Sequence, residues 1–100
     1  ETDMNQILLF ILALSLYSCA VSKTKLTDEA KEVRTLAQKQ IEGCHVIDKV
    51  IGMNEKGSDE LARNHTKNLA ADRGGNAIYI DDVVANANDV KVYATVYLCE

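Results

Sequence analysis

The chain of 100 residues contains no proline and no tryptophan, and it lacks an excess of basic residues. Its formal net charge of -4 at pH 7 argues against a nucleic-acid-binding protein, because such proteins normally carry a basic face. It also shows no block of like charge, no low-complexity tract and no internal repeat. The length therefore fits one small domain, which would bury only about 60–65% of its unfolded surface and would gain from a covalent cross-link.

The sequence also lacks an apolar run long enough to cross a membrane comfortably. The longest run, residues 7–18, reads ILLFILALSLYS and contains no charge. A transmembrane helix needs about 20 such residues, whereas the shorter run is typical of the apolar region of a signal peptide. A membrane anchor that is not cleaved and a buried core helix are the alternatives.

The end of this run, LYSC at residues 16–19, resembles the lipobox of bacterial lipoproteins. In such signals the cysteine thiol receives a diacylglyceryl group, the leader is removed, and the cysteine becomes the first residue. The resemblance implies a signal peptide over residues 1–18, lipidation of Cys19, and a linker over residues 19–29. Because Ala20 and not aspartate follows the cysteine, the resemblance also implies an outer-membrane address.

Residues 30–100 show the pattern of one small α+β domain. Residues 44–52 and 76–84 are rich in valine and isoleucine, and residues 90–99 alternate two sets of side chains, so three strands are expected. Ser58 begins a helix between the first two strands. This order predicts one helix packed on a small, three- to four-stranded, mostly antiparallel sheet.

The segment 30–41 allows two interpretations. Ala30, Val33, Ala37 and Ile41 fit a helical stripe, whereas the sequence EVRTL fits a short strand. Before it, Thr27 or Asp28 is suited to cap a short helix.

The three cysteines are an odd number, so one of them needs a separate explanation. A lipobox implies export to an oxidising compartment, where the thiols of small domains tend to pair. Cys44 opens the first core strand and Cys99 closes the last, so we expect a Cys44–Cys99 disulfide if those ends are adjacent, with Cys19 left for lipid. A zinc site at Cys44 and His45 is disfavoured, because no second Cys/His pair stands at ligand spacing. A Cys44 nucleophile paired with His45 or His65 is disfavoured as well, because no oxyanion-type loop is visible in the sequence. His65 is expected on the mostly apolar face of the helix, as a half-buried packing residue.

Tyrosines are the side chains best suited to a partner surface. Tyr79, Tyr93 and Tyr97 are expected on the sheet face opposite the helix, either as ordinary cross-strand packing or as a docking face, since tyrosine is enriched in interfaces. Asp81 and Asp82 are expected to point to opposite faces of their strand, which disfavours a paired-carboxylate site.

The residue types in and before the turn that follows the helix each have a physical reason. Gly74 and Gly75 end the helix and turn the chain sharply, and Asn76 is expected to hydrogen-bond the backbone of its own turn. The small Ala70 and Ala71 let the end of the helix approach the sheet.

Four short motifs occur in the folded part, namely GC at residues 43–44, NLAA at 68–71, GGNA at 74–77 and YLC at 97–99. Behind a lipobox and in this order, they resemble a family of small bacterial outer-membrane lipoproteins of unknown function. They are more distantly similar to the lipoprotein that senses envelope stress in the Rcs phosphorelay. Members of the family of small outer-membrane lipoproteins often have a strand before the Gly-Cys pair, so the resemblance favours a short strand near Val33.

Taken with this resemblance, the sequence predicts a lipid-anchored protein on the periplasmic face of the bacterial outer membrane. The expected role is binding of an envelope protein or sensing of envelope stress, without enzymatic activity. A structural accessory subunit of an envelope-spanning secretion or motility apparatus is the alternative, and a small metal-binding or hydrolytic protein is a remote one. No cofactor, metal, nucleic acid or small-molecule substrate is expected.

Overall fold

The computed structural model describes residues 23–39 and 42–100. These residues form two helices and four strands: α1 (Asp28–Lys31), β1 (Arg34–Thr35), β2 (Cys44–Asn54), α2 (Asp59–Asp72), β3 (Ala77–Ala85) and β4 (Val90–Cys99). The predicted α+β class is confirmed, and the short helix for which Thr27 or Asp28 was a suitable cap is present as α1. The apolar run 7–18 and Cys19 lie outside the described residues.

The strands form one mixed sheet in the order β1-β3-β4-β2. β4 is antiparallel to both of its neighbours, whereas the short β1 lies parallel to β3. β1 and β2 are consecutive in the chain but occupy opposite edges.

Local signals fix both ends of α2. The Ser58 hydroxyl accepts a hydrogen bond from the amide of Leu61, and two acidic residues follow in the first turn, where the helix dipole favours negative charge. At the other end Gly74 adopts a φ of +83°, and the amides of Gly74 and Gly75 donate back to carbonyls of the last turn. This is a Schellman motif, which favours glycine because of its positive φ.

The hydrophobic core lies between α2 and one face of the sheet, here called the helix-side face. Its buried members are Val33, Val50, Ala70, Ile78, Ala94 and Val96. Gly52 of β2 faces the helix so closely that a Cβ atom there would lie 2.6 Å from the Ala62 carbonyl oxygen and 2.6 Å from the Thr66 amide nitrogen. The helix and β2 are thus in backbone contact.

The segment 30–41 divides between the two structures that its sequence allows. α1 ends at Lys31, after its N-cap Thr27 accepts a hydrogen bond from the amide of Ala30. The chain then extends, and β1 pairs Arg34 with Ala77 of β3. A short strand therefore follows Val33, as favoured above.

The folded unit begins before residue 30, where the sequence suggested that the domain starts. The Asn68 side chain of α2 donates to the carbonyls of Lys23 (2.9 Å) and Lys25 (2.8 Å) and accepts from the amide of Thr27 (3.0 Å). One buried amide thereby fixes three points of the entering chain. Residues 23–29, expected as part of the linker, belong to the domain.

Candidate functional site

The face of the sheet opposite α2, here called the open face, is the candidate functional site. Strand register assigns its side chains, because residues directly opposite each other on neighbouring strands share a face. From β2 across β4 to β3, its rows are Val46–Tyr97–Ala77, Lys49–Thr95–Tyr79, Ile51–Tyr93–Asp82 and Met53–Lys91–Val84. All three tyrosines thus lie on this face.

Tyr97 lies under other side chains and is only 3% exposed. It packs in a cluster with Ala77 and Cys99, against which Leu36 and Tyr79 also pack. Leu36 continues beyond β1 and donates its amide to the Ile78 carbonyl at 2.8 Å. Tyr97 must therefore be removed from the expected partner face, since its ring is covered by residues of its own domain.

Lys39 covers the β3 side of the open face. Its ammonium nitrogen lies 3.4 Å from the Asp81 carboxylate and 5.7 Å from the centroid of the Tyr79 ring. Leu36 and Lys39 thus cover the β3 side of the open face, here called the covered half. The strand β2, at the other edge, has no such cover in the described part of the chain.

The bare half, formed by β2 and the middle of β4, exposes apolar side chains. Val46 is 59% exposed, Ile51 is 52% exposed and Tyr93 is 37% exposed. Beside them runs a groove of about 500 Å³ lined by Lys49, Val50, Ile51, Asp81, Tyr93 and Ala94. Ile51 and Tyr93 are directly opposite each other in the ladder, so their exposed surfaces are contiguous, and contiguous exposed apolar surface is typical of interaction sites.

A β-bulge places both aspartates of β3 toward the open face. The pairing of β3 with β4 shifts between Ile80 and Asp82, so Asp81 occupies the bulge. Its carboxylate accepts a hydrogen bond of 2.6 Å from the Thr95 hydroxyl, and Asp82 lies opposite Tyr93. The expectation of opposite faces was wrong, because an extra residue in a strand breaks the strict alternation.

The Cys44–Cys99 disulfide predicted from the sequence is present and joins two residues that are directly opposite in the β2–β4 ladder. The Asn76 amide group donates to the Cys99 carbonyl (2.7 Å) and accepts from the Cys99 amide (2.7 Å). Asn76 was expected to bond the backbone of its own turn. Instead it holds the end of β4, because the turn brings it beside the last residues of that strand.

The histidines lie apart from the open face. His65 of α2 reaches the edge of β2, where its Nδ1 accepts a hydrogen bond from the Met53 amide at 2.9 Å. This contact fixes His65 as a link between helix and strand. Within residues 23–39 and 42–100, no group of three or more His, Cys, Asp or Glu side chains is arranged to hold a metal ion.

No protein-family model, no curated protein and no solved structure matches the chain. The resemblance to small outer-membrane lipoproteins therefore stays a prediction from the sequence motifs. No helix in the described ranges is both long and apolar enough to cross a membrane.

Proposed function

We propose that the chain is a lipid-anchored protein of the bacterial envelope, and that its domain docks another protein through the bare half of the open face instead of catalysing a reaction. The exposed apolar patch of Val46, Ile51 and Tyr93 is the observation that carries the docking role. Burying such a patch releases about 25 cal/mol for each Å² removed from water, so a fitting partner gains affinity from it.

Two features support the envelope location. The disulfide suits an oxidising compartment, since cytosolic thiols are kept reduced. The Asn68 contact with Lys23 leaves only residues 20–22 between the described domain and Cys19. A fully extended chain spans roughly 14 Å over four residues, so a lipid on Cys19 holds the domain close to the bilayer.

Acyl labelling in a bacterial host tests the anchor. The wild-type chain is expected to incorporate labelled fatty acid and to sediment with the outer membrane. Cys19→Ala is expected to lose both properties, whereas Ser22→Ala, three residues further on, retains them. Label that persists in Cys19→Ala would contradict the anchor.

Site-specific photo-crosslinking in the same host tests docking. A photoreactive residue at position 51, on the bare half, is expected to give a discrete adduct that disappears when Tyr93→Arg is added. The same residue at position 60, exposed at the start of α2, is the matched control and is expected to give none. Equal adducts from both positions would contradict a role for the open face.

A further inference from the structure

We infer that the short connection to Cys19 sets how the domain is oriented on the membrane: the outer side of α2 lies against the bilayer, and the open face points away from it. The outer side of α2 is the surface that carries Asn68, together with residues 23–27, which cover that side chain. The inference rests on the lipid anchor proposed above. Its basis is the place at which the chain enters the domain.

The helix α2 has an inner side and an outer side. Ala62, Thr66 and Ala70 recur every four residues and are buried. The two alanines pack in clusters with valines of the sheet, and Thr66 lies next to Gly52 of β2. Asn68 lies two residues after Thr66, which at 3.6 residues per turn places it about 200° round the helix. Its side chain therefore leaves α2 on the side opposite the sheet.

The chain enters the domain on this outer side. Asn68 donates to the carbonyls of Lys23 and Lys25 and accepts from the amide of Thr27, so three backbone groups are held there. Asn68 is buried because the entering chain covers it. Lys23, the described residue nearest to Cys19 in the chain, is thus separated from the sheet by the helix.

The open face lies further from Lys23 than the connection to Cys19 can reach. A helix is about 10–12 Å across and a sheet with its side chains adds about 10 Å, so the open face stands roughly 20 Å from Lys23. The chain from Cys19 to Lys23 spans roughly 14 Å when it is fully extended. A domain anchored at Cys19 therefore cannot lay its open face on the same bilayer, whereas its outer side is within reach.

Charge does not select this orientation. The described residues 23–32 contain three lysines and three acidic residues, so the segment that enters the domain is neutral overall. Attraction to anionic lipid headgroups is therefore balanced by repulsion along the same segment. The length of the connection is the constraint that distinguishes the two sides of the domain.

This orientation narrows the kind of partner that fits the bare half. Val46, Ile51 and Tyr93 are exposed on the side of the domain that faces away from the lipid. A partner therefore contacts them from the periplasm, as a periplasmic protein or a domain that extends across it. A protein segment embedded in the anchoring bilayer is excluded, because the helix layer and the sheet lie between it and the patch.

Quenching of a fluorescent label by nitroxide-headgroup lipid is the first test. The full chain is expressed in bacteria, and the protein purified from their membranes is placed in vesicles of phosphatidylethanolamine, phosphatidylglycerol and the nitroxide lipid. A label on Lys25→Cys is expected to lose about half of its fluorescence or more, because it lies within the roughly 14 Å reach of the anchor. A label on Ile51→Cys, equally exposed to solvent, is the matched control and is expected to lose little.

A longer connection is the second test. An insertion of about twelve Gly/Ser residues after Ala20 gives the connection a typical span of roughly 20–24 Å, so the open face can then reach the bilayer. The difference in quenching between positions 25 and 51 is expected to fall at least about twofold, since that span matches the distance to the open face. Lys23→Gln, which changes charge but not length, is expected to leave the difference unchanged. Circular dichroism and peptide mass mapping of Cys44–Cys99 check that each variant is folded.

The outcomes separate this orientation from the anchor. Equal quenching at positions 25 and 51, in a chain whose intact mass shows lipid on Cys19, would overturn the orientation and leave the anchor standing. A difference that persists after the insertion would overturn the short connection as its cause. A chain whose intact mass shows no lipid would refute the anchor, and the orientation with it.

Discussion

The side-chain amide of Asn76 forms two hydrogen bonds with the backbone of Cys99, one to its N–H group and one to its carbonyl, both 2.7 Å long. The side-chain amide thus takes the place of the backbone N–H and C=O groups that a neighbouring strand would offer. Asn76, which follows the glycines that end α2, thereby fixes the last residue of β4, and the disulfide joins that same residue to β2.

Asn76→Ala is expected to destabilise the domain by about 2 kcal/mol, because a Cys99 amide and carbonyl that are partly buried lose their partners. Thermal unfolding followed by circular dichroism measures the change. Asn88→Ala, an exposed asparagine of the β3–β4 turn, is the control and should alter stability by less than about 0.5 kcal/mol. Equal losses in the two variants would refute this role of Asn76.

Reduction of Cys44–Cys99 is expected to lower the free energy of unfolding by about 4 kcal/mol, since the bond closes a loop with a sequence separation of 55 residues. This is a large share of the roughly 5–15 kcal/mol typical of a domain. Urea unfolding with and without reductant measures it, and the Cys44→Ser/Cys99→Ser double variant should match the reduced protein. A urea unfolding midpoint that is the same with and without reductant would contradict the expectation.

Gly52→Ala is expected to cost about 3 kcal/mol or more, because the added methyl group would overlap backbone atoms of α2. Thr66→Ala in the same chain should not restore stability, since the Ala62 carbonyl and the Thr66 amide would still be in the way. Gly43→Ala, which has open space around its Cβ position and a φ of +74°, should cost only about 1 kcal/mol. Recovery of stability in the Gly52→Ala/Thr66→Ala chain would instead show that only the Thr66 side chain requires glycine at position 52.

Asn68→Ala is expected to release residues 23–27 from α2, because this side chain makes three hydrogen bonds to their backbone. Limited trypsin digestion should then cleave after Lys25 much faster than in the wild-type protein. Asn64→Ala, one turn earlier on the same helix and partly exposed, should leave that rate unchanged. Unchanged cleavage in Asn68→Ala would mean that other contacts hold the segment.

Tyr97→Ala and Tyr93→Ala test how the open face is divided. The two residues lie on the same face of β4, but Tyr97 is buried and Tyr93 is exposed. Tyr97→Ala is expected to cost about 3–4 kcal/mol and Tyr93→Ala about 1 kcal/mol or less. Chemical denaturation of both variants gives the comparison, and similar losses would contradict the assignment of a covered and a bare half.

Much of the architecture was predictable because its signals are local. The alternation of residues 90–99 predicts β4 with its observed ends, Ser58 marks the start of α2, and Gly74 marks its end through a required positive φ. The pairing of Cys44 with Cys99 could also be predicted, since the two residues stand at the outer ends of the first and last long strands. These features depend on backbone preference and on residue order.

Other features could not be read from the pattern. A helical stripe gives no sign that Asn68, a polar residue, is buried, because its partners lie more than 40 residues earlier in the chain. The bulge at Asp81 is likewise invisible in a run of strand-forming residues, since it depends on how β3 pairs with β4.

The sequence by itself determined the elements of this protein, because turns, caps and alternation are properties of neighbouring residues. Tertiary structure alone decided which half of the open face is covered. That choice depends on where the chain after β1 lies: Leu36 packs against the cluster that contains Tyr97, whereas Tyr93 stays exposed on the same strand. Long-range packing, and not the identity of the two tyrosines, therefore sets the candidate site.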